Sequence, residues 1–212
     1  MIKIILEKNQ DVFFTSDTHW HHKNICRGVS NWPVTHKTRN YPDLETMNEH
    51  IIRNINNTVG QEDWLVHLGD WSFGGFDNIK NFRNRIICKN IILVIGNHDH
   101  HVENNRDNCQ SLFYKTTHYT KLEIQHNKPG KIDNFVLMHY PITSWNEMGK
   151  GMKHLFGHVH LSPNNRVMPG RSMDVGMDGH PDFRPYSIEE INILLRNQPI
   201  KGNVLPNDHH EN

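Results

Sequence analysis

Residues 91–99 read IILVIGNHD, a short apolar run that passes through a glycine into three polar side chains. The run Ile91–Ile95 is apolar throughout and rich in β-branched residues, which is typical of a strand covered on both faces. In layered α/β proteins, ligand-binding side chains collect on loops just beyond the carboxyl ends of strands. This stretch therefore predicts a buried strand that delivers Asn97, His98 and Asp99 to a site.

The same order, an apolar run followed by histidine or aspartate, recurs four more times. The polar members of these segments are Asp17 with His19, Asp70, His139, and His158 with His160. They follow apolar runs at 12–14, 64–68, 135–138 and 155–156. Gly69, Gly96 and Gly157 precede three of the five segments, at points where a chain leaving a strand must turn sharply and let a backbone approach closely. Five strand ends can therefore converge on one rim.

Helical patterns alternate with the apolar runs. The clearest spans Leu44 to Val59, where apolar residues recur at three- and four-residue steps behind a possible N-cap at Asp43, and a shorter one runs from about Ile79 to Ile86. Strands that alternate with helices predict an α/β fold, with a sheet core sandwiched between helical layers. We expect a single domain over residues 1–212, with a frayed tail after about residue 199.

Three segments lack clear periodicity: 26–42, 100–108 and 162–172. We predict that they form loops near the site, where they would face the substrate and determine specificity.

Charge and cysteine content narrow the function classes. Lys+Arg and Asp+Glu both number 23, so no basic excess is present to attract long nucleic acids. The three cysteines, Cys26, Cys88 and Cys109, form no Cys-x-x-Cys pair and favour a reducing compartment. The chain has neither an eighteen-residue apolar run nor a signal-peptide pattern, so we expect a soluble, cytoplasmic protein without a membrane partner.

The donor types in the five segments point to metal binding. The chain has 18 histidines, and its segments combine imidazole nitrogen with carboxylate and amide oxygen but no thiolate. Such a set suits manganese, iron, nickel, cobalt or zinc, whereas pure magnesium or calcium sites favour oxygen ligands. We expect two divalent transition-metal ions, with manganese as the first choice.

Taken in order, the five segments resemble the signature of the calcineurin-like metallophosphoesterase superfamily: Asp-x-His, Gly-Asp, Gly-Asn-His-Asp/Glu, a lone His, and Gly-His-x-His. The match spans Asp17 to His160, about two thirds of the chain. The resemblance implies an α/β/β/α architecture, a β-sandwich core flanked by helices with the metal site at the carboxyl ends of strands. It also implies a dinuclear, metal-dependent phosphoester hydrolase.

Residue roles follow from the resemblance. It implies that Asp17, His19 and His160 hold one ion, that Asn97, His139 and His158 hold the other, and that Asp70 bridges both. A hydroxide bridging the ions is the implied nucleophile, and His98 is the implied acid that protonates the leaving oxygen. Asp99 is expected either to orient the His98 imidazole or to cap a following helix.

The residues directly after two of the motifs indicate the subgroup. Gly69-Asp70 continues as Trp71-Ser72-Phe73-Gly74-Gly75, without the Val-Asp-Arg-Gly element of the protein serine/threonine phosphatases. Asp-x-His continues as His21-His22-Lys23-Asn24-Ile25, which resembles the small bacterial and phage-type phosphoesterases.

This resemblance makes His22 and Asn24 candidate substrate contacts. The segments 173–178 and 183–187 also resemble the subgroup's C-terminal pattern, a strand, a loop and a short helix from Ile188. Arg171 and Arg184 are candidate phosphate-binding cations, with surface ion pairs to Asp174 or Glu189 as the alternative.

We therefore predict a phosphodiesterase that acts on small nucleotide-type substrates. A nuclease acting on DNA or RNA is the alternative within the enzymes, although the balanced charge weakens it. A metal-binding scaffold without catalysis is the alternative outside them, since a fold alone does not fix function.

Overall fold

The computed structural model describes residues 1–200 of the 212-residue chain. In chain order the strands are β1 (Ile2–Ile5), β2 (Val12–Thr15), β3 (Trp64–His67), β4 (Asn90–Val94), β5 (Lys115–Thr117), β6 (Tyr119–Gln125), β7 (Ile132–Met138), β8 (Lys153–Phe156), β9 (Val167–Met168), β10 (Ser172–Asp174) and β11 (Tyr186–Ser187). The helices are α1 (Leu44–Thr58), α2 (Phe76–Arg85), α3 (His100–Glu103) and α4 (Ile188–Leu195). The predicted frayed tail begins after about residue 199, and all of it beyond residue 200 lies outside the described residues.

The strands form two sheets. One has the order β11-β2-β3-β4-β5, in which β2 to β5 run parallel and β11 is antiparallel. The other has the order β1-β6-β7-β8-β10-β9, with β7, β8 and β10 parallel to one another. Parallel neighbours bring their carboxyl ends to the same edge of a sheet, which is the edge that carries the polar segments.

The first sheet is buried on both faces. Phe14 and Val66 point towards the second sheet, where the Phe14 and Phe135 rings lie 5.2 Å apart between centroids. Leu65 and Ile91 point to the other face and share a core with α1 and α2. The predicted layered β-sandwich core flanked by helices is thereby confirmed.

Helix α1 follows the predicted pattern. The Asp43 side chain accepts a hydrogen bond from the Thr46 N–H at 2.7 Å, and Met47, Ile51 and Ile55 are buried along one face. An N-cap of this type satisfies one of the free amides at the start of a helix. The N-terminal boundary and the buried face are confirmed.

All three predicted loops contain some regular structure. The segment 26–42 includes two single turns of 3-10 helix, Arg27–Val29 and Thr35–Lys37. The segment 100–108 begins with the single-turn helix α3, in which Val102 is buried, and the segment 162–172 includes strand β9. No helix among residues 1–200 is long and apolar enough to cross a membrane. All three cysteines are free and buried.

Candidate metal centre

The polar segments meet where the two sheets face each other. Asp17 and His19 follow β2, Asp70 follows β3, and Asn97 follows β4, all in the first sheet. His139 follows β7, and His158 with His160 follows β8, in the second sheet. The seven predicted ligand residues therefore come from both sheets and lie at one rim.

One group of donor atoms surrounds Asp17. Its Oδ1 lies 3.7 Å from His19 Nε2 and 3.6 Å from His160 Nε2, and the two imidazole nitrogens are 3.1 Å apart. Asp17 Oδ1 is buried and has no hydrogen-bond partner among residues 1–200. A buried carboxylate oxygen without a partner is costly, and a metal ion would satisfy it.

A second group lies beside the first. Asp70 Oδ2 is 3.6 Å from His139 Nε2 and also 3.6 Å from His19 Nε2. Asn97 Oδ1 lies 3.0 Å from His139 Nε2 and 2.8 Å from His158 Nδ1. Asp17, Asp70 and His139 bring their donor atoms within 4.8 Å of one another, as do Asp17, His19 and His160. Both groups fit a divalent cation with nitrogen and oxygen ligands.

Five of these residues have a left-handed backbone. They are Asp17, His19, Asp70, His158 and His160, with φ between 46° and 72°. This region is sparsely populated by residues other than glycine, and such conformations concentrate at binding sites.

The glycines before the polar residues allow the strand ends to approach closely. A Cβ on Gly157 would lie 2.3 Å from Ser16 Oγ and 2.4 Å from Asp17 Oδ2. A Cβ on Gly96 would lie 2.3 Å from Asp70 Oδ1. The predicted close approach at these two positions is confirmed.

Burial disfavours the charged forms of Asp70 and His19 in the centre. Burial, with the charge of Asp17, raises the pKa of Asp70 to about 7. Burial holds the pKa of His19 well below its usual range, and the neighbouring His160 lowers it further. A bound cation would favour the ionised carboxylate and the neutral imidazole, the forms that bind metals.

An outer set of contacts orients the imidazole rings. His139 Nδ1 lies 2.7 Å from the Leu68 carbonyl, and His160 Nδ1 lies 2.8 Å from Asp178 Oδ2. Although burial opposes it, the hydrogen bond to Asp178 raises the pKa of His160. With each Nδ1 engaged, each Nε2 is directed at the centre.

Arg39 joins this outer set from the segment 26–42. Its guanidinium donates to both oxygens of Asp178 at 2.8 and 2.9 Å and to the carbonyls of Asp17 and Thr18 at 2.6 and 2.8 Å. The side chain is buried in doing so. No pattern in the sequence indicates a role for Arg39, because it lies in a segment without periodicity.

The Asp99 carboxylate makes neither of the two contacts expected of it among residues 1–200. Its carboxylate accepts hydrogen bonds from the backbone N–H groups of Asp70, Trp71 and Gly96 at 2.8–2.9 Å. It precedes α3 but its side chain makes no capping hydrogen bond. Asp99 therefore fixes the loops that follow β3 and β4 to each other.

His98 is exposed at the rim of the centre. Its backbone N–H donates to Asp70 Oδ1 at 2.9 Å, and its ring packs on Phe73 with centroids 4.8 Å apart. Partial desolvation lowers the pKa of His98, and nearby His100 adds to the effect. Phe73 also contacts His22, with ring centroids 3.7 Å apart, a contact that the sequence did not indicate.

The four predicted substrate contacts have different surroundings. His22 lies in the cleft beside the centre. Asn24 stabilises its own loop, since its Oδ1 accepts from the backbone N–H of Asn31 at 3.2 Å. Arg184 binds Glu190 through both terminal nitrogens, instead of the expected Asp174 or Glu189, and Arg171 donates to the Gln198 carbonyl. Both arginines are therefore engaged within the chain, and the structure does not bring them to the centre.

A cleft of about 700 Å³ opens beside the metal centre. Its floor includes His19, His98, His158 and His160, and its walls come from residues 32–39 and 159–163. Two of the three predicted loops, 26–42 and 162–172, thus border the cleft. The segment 100–108 does not line it.

Comparison with known proteins agrees with this geometry. The profile of the calcineurin-like phosphoesterase family matches residues 11–203. The chain therefore belongs to this family.

Two known proteins are similar to this chain, one in sequence and one in fold. The chain is 31% identical over 90 residues to an uncharacterized protein of Methanocaldococcus jannaschii. The matched residues make up 42% of this chain and 46% of that protein, so the chain spans less than half the length of this relative. A crystal structure of a protein of unknown function from Aquifex aeolicus shares the fold, with a TM-score of 0.60, 23% identity, and coverage of 88% of this chain and 100% of that one.

Proposed function

We propose that this protein is a phosphodiesterase that hydrolyses small nucleotide-type esters with two divalent transition-metal ions. The observation that carries the proposal is the position of Asp70 Oδ2, which lies 3.6 Å from an imidazole nitrogen of each donor group. A carboxylate in this position can bridge two ions, as in dinuclear phosphoesterases.

The ligand assignment follows from the two donor groups. One ion would be held by Asp17, His19, His160 and Asp70, and the other by Asp70, Asn97, His139 and His158. Divalent ions in such a site neutralise charge on phosphoryl oxygens and make water acidic enough to attack phosphorus at neutral pH. Manganese is our first choice, and iron, nickel, cobalt and zinc have the same ligand preferences.

The remaining groups act on the substrate and on the ligands. His98 faces the centre from the rim and donates a proton to the leaving oxygen. Phe73 holds the His98 ring in place by packing against it, while Asp178 keeps the proton of His160 on Nδ1. The Asp70 carboxylate accepts a hydrogen bond from the backbone N–H of His98, and this bond fixes the position of residue 98 relative to the proposed bridging ligand.

A direct test uses a chromogenic diester. Protein reconstituted with manganese should hydrolyse bis-p-nitrophenyl phosphate, and excess chelator should abolish the activity until manganese is restored. A fully metallated sample that turns over no phosphoester would overturn the proposal.

The nuclease alternative predicts a different salt response. A protein that binds a polymer through many phosphates loses affinity steeply as ionic strength rises. We expect KM for a dinucleotide to change little between low and moderate salt. A steep loss, together with faster cleavage of oligonucleotides than of dinucleotides, would favour the nuclease.

A further inference from the structure

The cleft beside the metal centre has an apolar wall. Trp32 and Val159 both line it and expose 39% and 40% of their surface, and Ile25 and Pro163 line it as well. Large exposed apolar side chains gathered in one concave surface are typical of a ligand-binding site.

Trp32 lies close to the reacting end of the cleft. Its ring meets His22 edge to face with centroids 5.7 Å apart, and His22 lies 5.6 Å from the His19 ring. One imidazole therefore separates the indole from a proposed metal ligand. A group attached to a phosphate at the centre would reach the indole.

The loop that carries Trp32 is held in place. The backbone N–H of Trp32 donates to Ser30 Oγ at 3.1 Å, and Ser30 Oγ in turn donates to the Asn24 carbonyl at 2.7 Å. The Asn24 side chain accepts from Asn31 at 3.2 Å. These bonds hold the backbone that carries the indole before a ligand arrives, which reduces the entropy that binding must overcome.

We infer that Trp32 is a specificity-determining residue that stacks on a planar aromatic group, such as a nucleobase, joined to the phosphate in the metal centre. This inference rests on the proposed function and names the substrate class that the cleft selects. Stacking of a base on an aromatic side chain contributes about 1–3 kcal/mol, which is roughly a 5- to 150-fold change in affinity. Trp32 acts by binding, and it takes no part in proton transfer.

Equilibrium binding tests the inference without any need for turnover. Manganese-loaded protein is titrated by calorimetry with AMP and with ribose 5-phosphate, which share the phosphate and the sugar but differ in the base. AMP should bind roughly 5- to 150-fold more tightly. Equal affinities for the two probes would overturn the inference.

Three variants assign the discrimination to the indole. In Trp32→Leu the ratio of the two Kd values should fall towards one, whereas Trp32→Phe retains an aromatic face and should retain most of the ratio. Tyr114→Leu removes another exposed aromatic ring, next to the start of β5, outside the cleft, and should leave the ratio as in the parent. If Trp32→Leu keeps the parent's ratio of Kd values, the indole is not the source of the preference for AMP. If Trp32→Phe loses the ratio as fully as Trp32→Leu does, stacking on an aromatic face is not its source.

The two proposals fail in different ways. If neither probe binds, the aromatic subsite is disproved, while hydrolysis of bis-p-nitrophenyl phosphate still reports separately on the proposed function. If both probes bind as expected but no ester is hydrolysed, the subsite stands and the proposed activity fails.

Discussion

The two oxygens of Asp70 have different partners. Oδ1 accepts the backbone N–H of His98 at 2.9 Å, and Oδ2 lies between His19 Nε2 and His139 Nε2. The backbone hydrogen bond fixes the plane of the carboxylate, so Oδ2 stays between the two donor groups. An amide at this position would place its NH₂ group at Oδ1 or at Oδ2. At Oδ1 it could not accept the His98 N–H, and at Oδ2 it could not bind a metal ion.

Replacing His98 with Ala should separate catalysis from metal binding. The bond to Asp70 comes from the backbone of residue 98 and survives the substitution, so manganese content should not change. We expect kcat for bis-p-nitrophenyl phosphate to fall about 10²–10⁴-fold, the range typical of a lost general acid. His118→Ala is the matched control, because this imidazole is exposed and does not line the cleft, and its kcat should stay near that of the parent. Loss of manganese in His98→Ala would contradict this role.

Replacing Asp178 with Asn should weaken metal binding although no proposed ligand is replaced. The change keeps the shape of the side chain but removes the charge that His160 Nδ1 and Arg39 contact. Loss of such an orienting partner typically lowers metal affinity about 10- to 100-fold. Competition with a chromogenic chelator measures the affinity, and Asp182→Asn, which alters an exposed carboxylate nearby, should bind manganese like the parent. Equal affinities in Asp178→Asn and the parent would remove this role from Asp178.

The loops at the strand ends are short, and their glycines bring ligand residues of the two sheets together. In Gly157→Ala the added methyl would collide with Ser16 and with the Asp17 carboxylate, which also accepts the His158 N–H at 2.9 Å. We expect the variant to bind less than the parent's complement of manganese and to unfold at a lower temperature, as thermal denaturation with metal analysis would show. Gly149→Ala is the control, because nothing lies within 4 Å of its added Cβ. A Gly157→Ala protein with full metal content would show that the loop can yield.

Elements with a strong local pattern could be predicted from the sequence, and the others could not. Helix α1 has both a cap and a regular apolar face, whereas β6 alternates apolar and polar residues, with Thr120, Leu122 and Ile124 facing inward, and so does not stand out as a continuous apolar run. The helix α3 is a single turn, too short for any periodicity to be seen.

The same distinction holds within the site. The seven predicted ligands follow strands directly, so their positions depend on local sequence. Irregular segments carry Arg39 and Phe73, which lie at the centre, and Trp32, which lines the cleft beside it, and only tertiary contacts place them there. The residue type of Arg184 predicts phosphate binding, but its actual partner, Glu190, belongs to the capping box of α4.

At the scale of the whole molecule, the metal centre lies on the seam between two sheets that share one core. Phe14 and Phe135 pack across this core, and the strands that carry them also lead to Asp17 and His139. The distance between the donor groups therefore depends on the packing of the sheets. Anything that loosens the core is expected to weaken metal binding, even when no ligand is changed.

Acid is expected to loosen the molecule through a histidine remote from the proposed ligands. His154 on β8 is fully buried, with Nδ1 3.1 Å from the Val136 carbonyl and its ring packed on Trp145. Burial lowers the pKa of His154 from 6.5 to about 4. Between these values the unfolded chain takes up a proton that the folded protein excludes, so the contribution to stability is complete above pH 6.5 and is lost as the pH falls towards 4. This one group should reduce the free energy of unfolding by about 1.4 kcal/mol per pH unit, roughly 3 kcal/mol in all.

Urea unfolding of the metal-free protein between about pH 4 and 7 tests this effect. The chelator removes any contribution from metal loss, and comparison with a variant at position 154 separates His154 from the other buried groups that titrate in this range. His154→Asn keeps a hydrogen-bond donor near the position of Nδ1 but cannot be protonated in this range. Its baseline stability is expected to be lower, since a ring is lost from the core, but its free energy of unfolding should fall less steeply with acid than that of the parent. His118→Gln, which changes an exposed imidazole, should retain the parent's slope. Parallel pH profiles for His154→Asn and the parent would mean that His154 takes up its proton equally well in the folded chain, and that its burial does not couple acid to stability.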